Sequence, residues 1–160
     1  MVKRVGWWRE HSLLAVPLFL VAGCVMMQTA RQRISPTLPE AENISSWPEK
    51  YPLAPQQEFG IVELSRTEHS SVHLIQIRHR EPLHVHEQHD LIAILLKGHG
   101  TLRLGSQTFS VQKGSVVAIP HGVPHAFVNE SLEPAAAFAV SSPPLDGPDT
   151  VLVQENPPSK

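Results

Sequence analysis

Residues 114–129 decide the fold: Gly114-Ser115-Val116-Val117-Ala118-Ile119-Pro120-His121-Gly122-Val123-Pro124-His125-Ala126-Phe127-Val128-Asn129. Val116–Ile119 is a short, mostly β-branched run. Gly114 punctuates it on one side and Pro120 and Gly122 on the other, and a second apolar run, Ala126–Val128, follows at once. Upstream the same grammar recurs: Phe59–Leu64, Val72–Ile77, Leu91–Leu96 closed by Gly98, Thr101–Leu104 before the Gly105-Ser106 turn, and Thr108–Val111. Ala135–Val140 ends the series downstream. Short strands at this spacing, with turn signals between them, predict an all-β chain folded as a small antiparallel barrel or sandwich. This region has no strong helical periodicity and no internal repeat.

Histidines are concentrated in the same region, with nine of the ten lying from His69 to His125. His84-Val85-His86 is the pair that matters. Residues i and i+2 of a strand face the same side, so these two imidazoles stand together as natural metal ligands. A third ligand has to come from just beyond them and another from a distant strand. The net charge of −2 offers no basic face for nucleic acid.

The pattern Gly114-x5-Pro120-x-Gly122-x2-His125-x3-Asn129 matches every fixed position of the second signature motif of the cupin superfamily, G-x5-P-x-G-x2-H-x3-N. His84-x-His86 and Gly98 resemble the partner motif, G-x5-H-x-H-x3,4-E-x6-G. The resemblance covers roughly residues 58–142 and implies a small antiparallel β-barrel of the jelly-roll kind, the double-stranded β-helix, in which His125 points into the barrel and binds metal. Two positions depart from the pattern. Arg78 stands at the leading glycine position, and the usual glutamate is missing. Counting forward from His86 puts Asp90 in its place, whereas counting back from Gly98 puts Leu91 there, which cannot ligate. In that second register His89 shares the face of Leu91 and Asp90 points away. Two sites are therefore open: His84, His86, Asp90 and His125, or His84, His86, His89 and His125. The fixed Gly98 turn favours His89, leaving Asp90 to orient an imidazole. Either set suits a divalent ion (Fe, Mn, Ni, Cu or Zn) without choosing among them. His69, His73, His79, His99 and His121 have no place in the motif and read as surface or turn residues, and Arg78 and Arg80 as solvated charges. Phe127 and Phe138 read as barrel lining.

The superfamily includes dioxygenases, isomerases, epimerases, decarboxylases, sensors and storage proteins, so its fold leaves function open. A metal-dependent oxygenase of the quercetinase-like kind acting on a small organic molecule is one expectation. A non-catalytic envelope module that binds a metal or small ligand is the other.

The N-terminus reads Met1-Val2-Lys3-Arg4 through Leu20-Val21-Ala22-Gly23-Cys24. A positive segment with Lys3, Arg4 and Arg9 precedes an apolar stretch from Leu13 to Ala22, which is the pattern of a secretory signal peptide. Even extended to Met27, the apolar run is about 15 residues, short of the roughly 20 that span a bilayer. Leu20–Cys24 resembles the lipobox of bacterial lipoproteins, which implies lipid on Cys24 and cleavage before it. Loss of Lys3, Arg4, Arg9 and Glu10 would take the net charge from −2 to −4. The expected organisation is a signal peptide over 1–23, a lipidated Cys24 with a Pro-rich linker over 24–57, the barrel over 58–142, and a C-terminal loop and tail over 143–160. Trp47 and Tyr51 in the linker are candidates to dock on the barrel. Val25 follows the cysteine where Asp would signal inner-membrane retention, so the resemblance points to the outer membrane of the cell envelope. Candidate partners are the membrane through Cys24, a small-molecule ligand and a second copy of the chain.

Overall fold

Alternating and apolar β-branched segments pair across the chain into two facing sheets. The computed structural model describes residues 31–33, 43–146 and 149–154. The signal peptide and Cys24 lie outside the described residues. Eleven strands are present among the described residues: β1 (Arg31–Arg33), β2 (Phe59–Arg66), β3 (Ser71–Ile77), β4 (Arg80–His86), β5 (Asp90–Lys97), β6 (His99–Leu104), β7 (Gln107–Gln112), β8 (Val116–Ile119), β9 (His125–Asn129), β10 (Ala135–Ser142) and β11 (Thr150–Leu152). One sheet runs β1-β2-β3-β10-β5-β8 and the other β11-β4-β9-β6-β7. All pairings are antiparallel except β1 with β2. Strands near in sequence, such as β4 and β5, fall in opposite sheets, which is the jelly-roll arrangement that the motif resemblance implies.

The core follows from the inward faces. Leu74 and Ala139 are fully enclosed, and Ile77, Leu102, Val111, Phe127 and Ala135 pack together between the sheets. Phe127 is therefore interior, as expected. Phe138 instead packs against Trp47, at 6.0 Å between ring centroids.

Two stretches differ from the sequence reading. Residues 44–50, expected within an extended linker, form a short 3-10 turn (Ile44–Ser46) and a one-turn helix, α1 (Trp47–Lys50). Asn43 caps the turn through Ser45 N–H, and Trp47 sinks into a cluster with Val62, Leu64, Leu74 and Leu96. Arg78, expected as a solvated charge, ties down the stretch between this helix and β2. Its guanidinium donates to the carbonyls of Gln57 (2.9 Å) and Ala54 (2.9 Å). At the other end, Thr150–Leu152 is a strand rather than a tail, pairing with β4 in the register Thr150↔His86 and Leu152↔His84. Tertiary burial and an available sheet edge override the local proline and glycine signals.

Candidate metal centre

β4 and β9 are antiparallel neighbours with His84 directly opposite His125, so both imidazoles leave the same face of the sheet. His86 is two residues further along β4 and joins them. The motif turn fixes the far side of the group. Gly122, at φ 71°, has a backbone that side chains rarely adopt, and its N–H donates to the His86 carbonyl (2.6 Å). That bond docks the Pro120–Gly122 turn onto the strand carrying two of the histidines. The result is three buried imidazoles whose ligand nitrogens all lie within 4.8 Å of one another, close enough to share one ion. Their ring centroids are 4.1 Å (His84–His125), 4.9 Å (His84–His86) and 4.9 Å (His86–His125) apart.

Hydrogen bonds set the tautomers. The Nδ1–H of His84 donates to the Pro82 carbonyl (2.8 Å) and that of His125 to the Val123 carbonyl (3.0 Å). A carbonyl can only accept, so in both rings Nδ1 carries a proton, and the neutral form of each then has its lone pair on Nε2. His86 Nδ1 is buried with no hydrogen-bond partner among the described residues. An orphaned imidazole nitrogen among other imidazoles is what a metal ion would satisfy, and the nitrogen donors suit a divalent transition ion. Burial, with the neighbouring rings adding to it, pushes His86 down to about 3 and His125 down to about 4. Both are therefore neutral at physiological pH, as ligation requires.

The two residues left open at the third position separate cleanly. His89, in the turn between β4 and β5, is buried with its ring centroid 4.2 Å from that of His86. Asp90 faces outward. Its carboxylate accepts from the His121 backbone N–H (2.9 Å) and from the His121 ring (2.8 Å), with both side chains more than half exposed. Those bonds, the backbone one first, hold its pKa below the usual carboxylate range. Asp90 thus orients the exposed His121 and not a clustered imidazole.

The structure also adds two carboxylates. Asp149, just before β11, is buried and pairs with His89 through its Oδ2 and the His89 Nδ1. Its Oδ1 and its carbonyl both receive the Glu87 N–H, at 3.1 and 3.2 Å. His86, His89 and Asp149 form a second close group that shares His86 with the first. The second carboxylate is Glu81, 3.6 Å from His84 Nε2. The β4–β9 register slips by one residue between Glu81 and His84, and this bulge brings onto one side two residues that an odd spacing would normally set on opposite faces. Desolvation raises the Glu81 pKa, with the nearby His84 charge opposing it. Nothing in the Pro-Pro-Leu-Asp-Gly-Pro-Asp stretch marked Asp149 as interior, although the apolar Val151–Val153 run after it was a strand signal. Of the histidines outside the motif, His69, His79, His99 and His121 are exposed as expected. His73 is not: it is buried against the Ser71 hydroxyl (2.7 Å).

Comparison with known proteins agrees with this architecture. The cupin-domain family model matches residues 72–141. An uncharacterized protein of Aquifex aeolicus is 35% identical over 98 residues, covering 61% of this chain and 80% of that protein. The crystal structure of TT1209 from Thermus thermophilus superposes at a TM-score of 0.56 with 22% identity, over 66% of this chain and 99% of the other. An uncharacterized conserved protein with a double-stranded β-helix domain from Klebsiella pneumoniae gives a TM-score of 0.59 at 18% identity, over 72% of this chain and all of that one. Sheet topology, motif and relatives converge, and the chain belongs to the cupin family.

Proposed function

We propose that this cupin is an envelope lipoprotein, tethered through Cys24, whose barrel binds one divalent metal ion through His84, His86 and His125 and acts as a metal-dependent oxygenase on a small organic molecule. The observation that carries the metal reading is the buried, unpartnered His86 nitrogen between rings whose own tautomers are fixed by backbone carbonyls. When bound, a redox-active ion would supply positions for a substrate and O2 and the electron-transfer capacity that oxygenation needs. The chain's own contribution is to hold His86 and His125 neutral and all three imidazoles pre-oriented and buried, with Glu81 as the carboxylate beside His84.

Elemental analysis of the protein purified without residues 1–23 tests this reading. About one divalent ion per chain is expected, and its loss on replacing His84 and His86 together with Ala. Unchanged stoichiometry in the double variant sinks the site. Iron, manganese or copper in the protein supports oxygenase chemistry, whereas zinc supports the non-catalytic binding module. The tether is tested separately. Fatty-acid labelling should mark the wild-type protein and not Cys24→Ser, and equal labelling of the two refutes the lipoprotein reading.

A further inference from the structure

Three of the four clustered histidines have Nδ1 against an oxygen. For His84 and His125 that oxygen is a carbonyl in their own strand or the adjoining turn, two residues away. For His89 it is Oδ2 of Asp149, 60 positions along the chain. Asp149 is itself fixed in place. The residue is 4% exposed, the Glu87 N–H donates to it, and β11, which begins at the next residue, is zipped onto β4 beside His84 and His86. The Val153 N–H adds a bond to the Leu83 carbonyl (3.0 Å). Oδ2 lies against His89 Nδ1 as an ion-pair contact and, among the described residues, is buried with no hydrogen-bond partner.

A carboxylate accepts and does not donate, so a neutral His89 ring held against it carries its proton on Nδ1 and its lone pair on Nε2. That is the state in which His84 and His125 already stand. The carboxylate also raises the basicity of the ring it holds, as carboxylate–histidine pairs do around bound metals. Asp149 lies beyond the stretch that the cupin-domain model matches, residues 72–141, so this device belongs to the C-terminal strap of the chain rather than to its motif.

We propose that Asp149 is a positioning residue that fixes His89 as the fourth imidazole of the metal site and thereby couples docking of the C-terminal strand to metal binding. The inference rests on the metal reading above and extends it to a residue outside the motif. Coupling of this kind is reciprocal: metal stabilises the docked strap by as much as the docked strap tightens the metal.

The test is a double-mutant cycle on the purified protein, with Co(II) and Zn(II) titrated against a competing chelator. Asp149→Ala should weaken both ions by about 10–100-fold, the usual effect of removing a carboxylate behind a ligating histidine. Asp149→Asn, which keeps an acceptor oxygen without the charge, should fall between the wild type and Asp149→Ala and guards against a folding defect. In a His89→Ala background Asp149→Ala should cost little more, because its ligand is already gone. A merely structural role for Asp149 gives equal losses in both backgrounds and overturns the inference. Nitrogen-15 spectra of the metal-free protein should show His89 protonated on Nδ1 in the wild type and redistributed towards Nε2–H in Asp149→Ala. An Nε2–H tautomer in the wild type also overturns it. Zn(II) should slow amide exchange at Val153 in the wild type and not in His89→Ala, and equal slowing in both removes the coupling to the strap. A wild type that takes up neither ion overturns the metal reading and this inference with it. Metal uptake with equal losses in the cycle overturns this inference alone.

Discussion

Replacing His86 with Gln should make the metal-free protein less sensitive to acid, by an amount the structure sets. His86 is held down to about 3, with desolvation the main cause and the His89, His125 and His84 rings adding to it. In the unfolded chain the same side chain titrates near 6.5. Above that value both states leave it neutral and pH does not matter. As pH falls from about 6.5 towards 3, the unfolded chain takes up a proton that the folded chain refuses, so stability drops with pH across that window. Between pH 7 and pH 5 this one group should remove about 2 kcal/mol. His86 is not among the causes of the His125 depression, which are burial and the His84 and His89 rings, opposed by a bond at Val123. The Gln variant should therefore lose this increment and little else. Urea unfolding of both proteins in excess chelator, at pH 7 and pH 5, measures it as a double difference. The wild-type advantage or deficit relative to His86→Gln should shift by about 2 kcal/mol against the wild type at the lower pH. Parallel profiles, within about 0.5 kcal/mol, would refute the claim that His86 is buried neutral among other rings.

His89→Ala should weaken metal binding by more than Asp90→Ala, whose carboxylate is engaged with the exposed His121; competition titrations showing the reverse would restore Asp90 as the ligand. Leu74→Ala, at a fully enclosed position in the cluster with Trp47 and Leu96, should cost about 2–5 kcal/mol in urea unfolding with no change in slope. A loss under about 1 kcal/mol would mean that the site is looser than its burial implies.

Most of the barrel was legible because each strand carries its own punctuation. Every run read between Phe59 and Val140 coincides with a strand to within a residue or two. His84 and His86 stand out from ten histidines because strand alternation acts locally, whereas His125 is marked by the motif resemblance. Both residues proposed for the third position sit in that same short interval, and what separates them is which way one turn faces. That depends on contacts with His121 and Asp149, which lie 31 and 60 residues away along the chain. Asp149 itself was illegible: a lone acid in a Pro- and Gly-rich stretch looks like a turn residue, and only the pairing of Thr150–Leu152 with β4 brings it inside. Burial of His73 has a similar origin. On β3 it shares a face with Ile75 and Ile77, which pack in the core, and only the docking of the two sheets makes that face the inner one.

Trp47 gives the protein a built-in optical reporter. The chain has three tryptophans, Trp7, Trp8 and Trp47, and cleavage ahead of Cys24 would leave Trp47 as the sole long-wavelength fluorophore. Its indole sits in an apolar cluster with Leu64 and Leu74 and near the Phe138 ring, on a helical turn that precedes the first long strand rather than within the barrel. Emission should therefore follow release of that turn into water, separately from melting of the sheets as followed by circular dichroism. A red shift that comes before the loss of β signal would mean that the segment ahead of the barrel lets go while the barrel itself is intact.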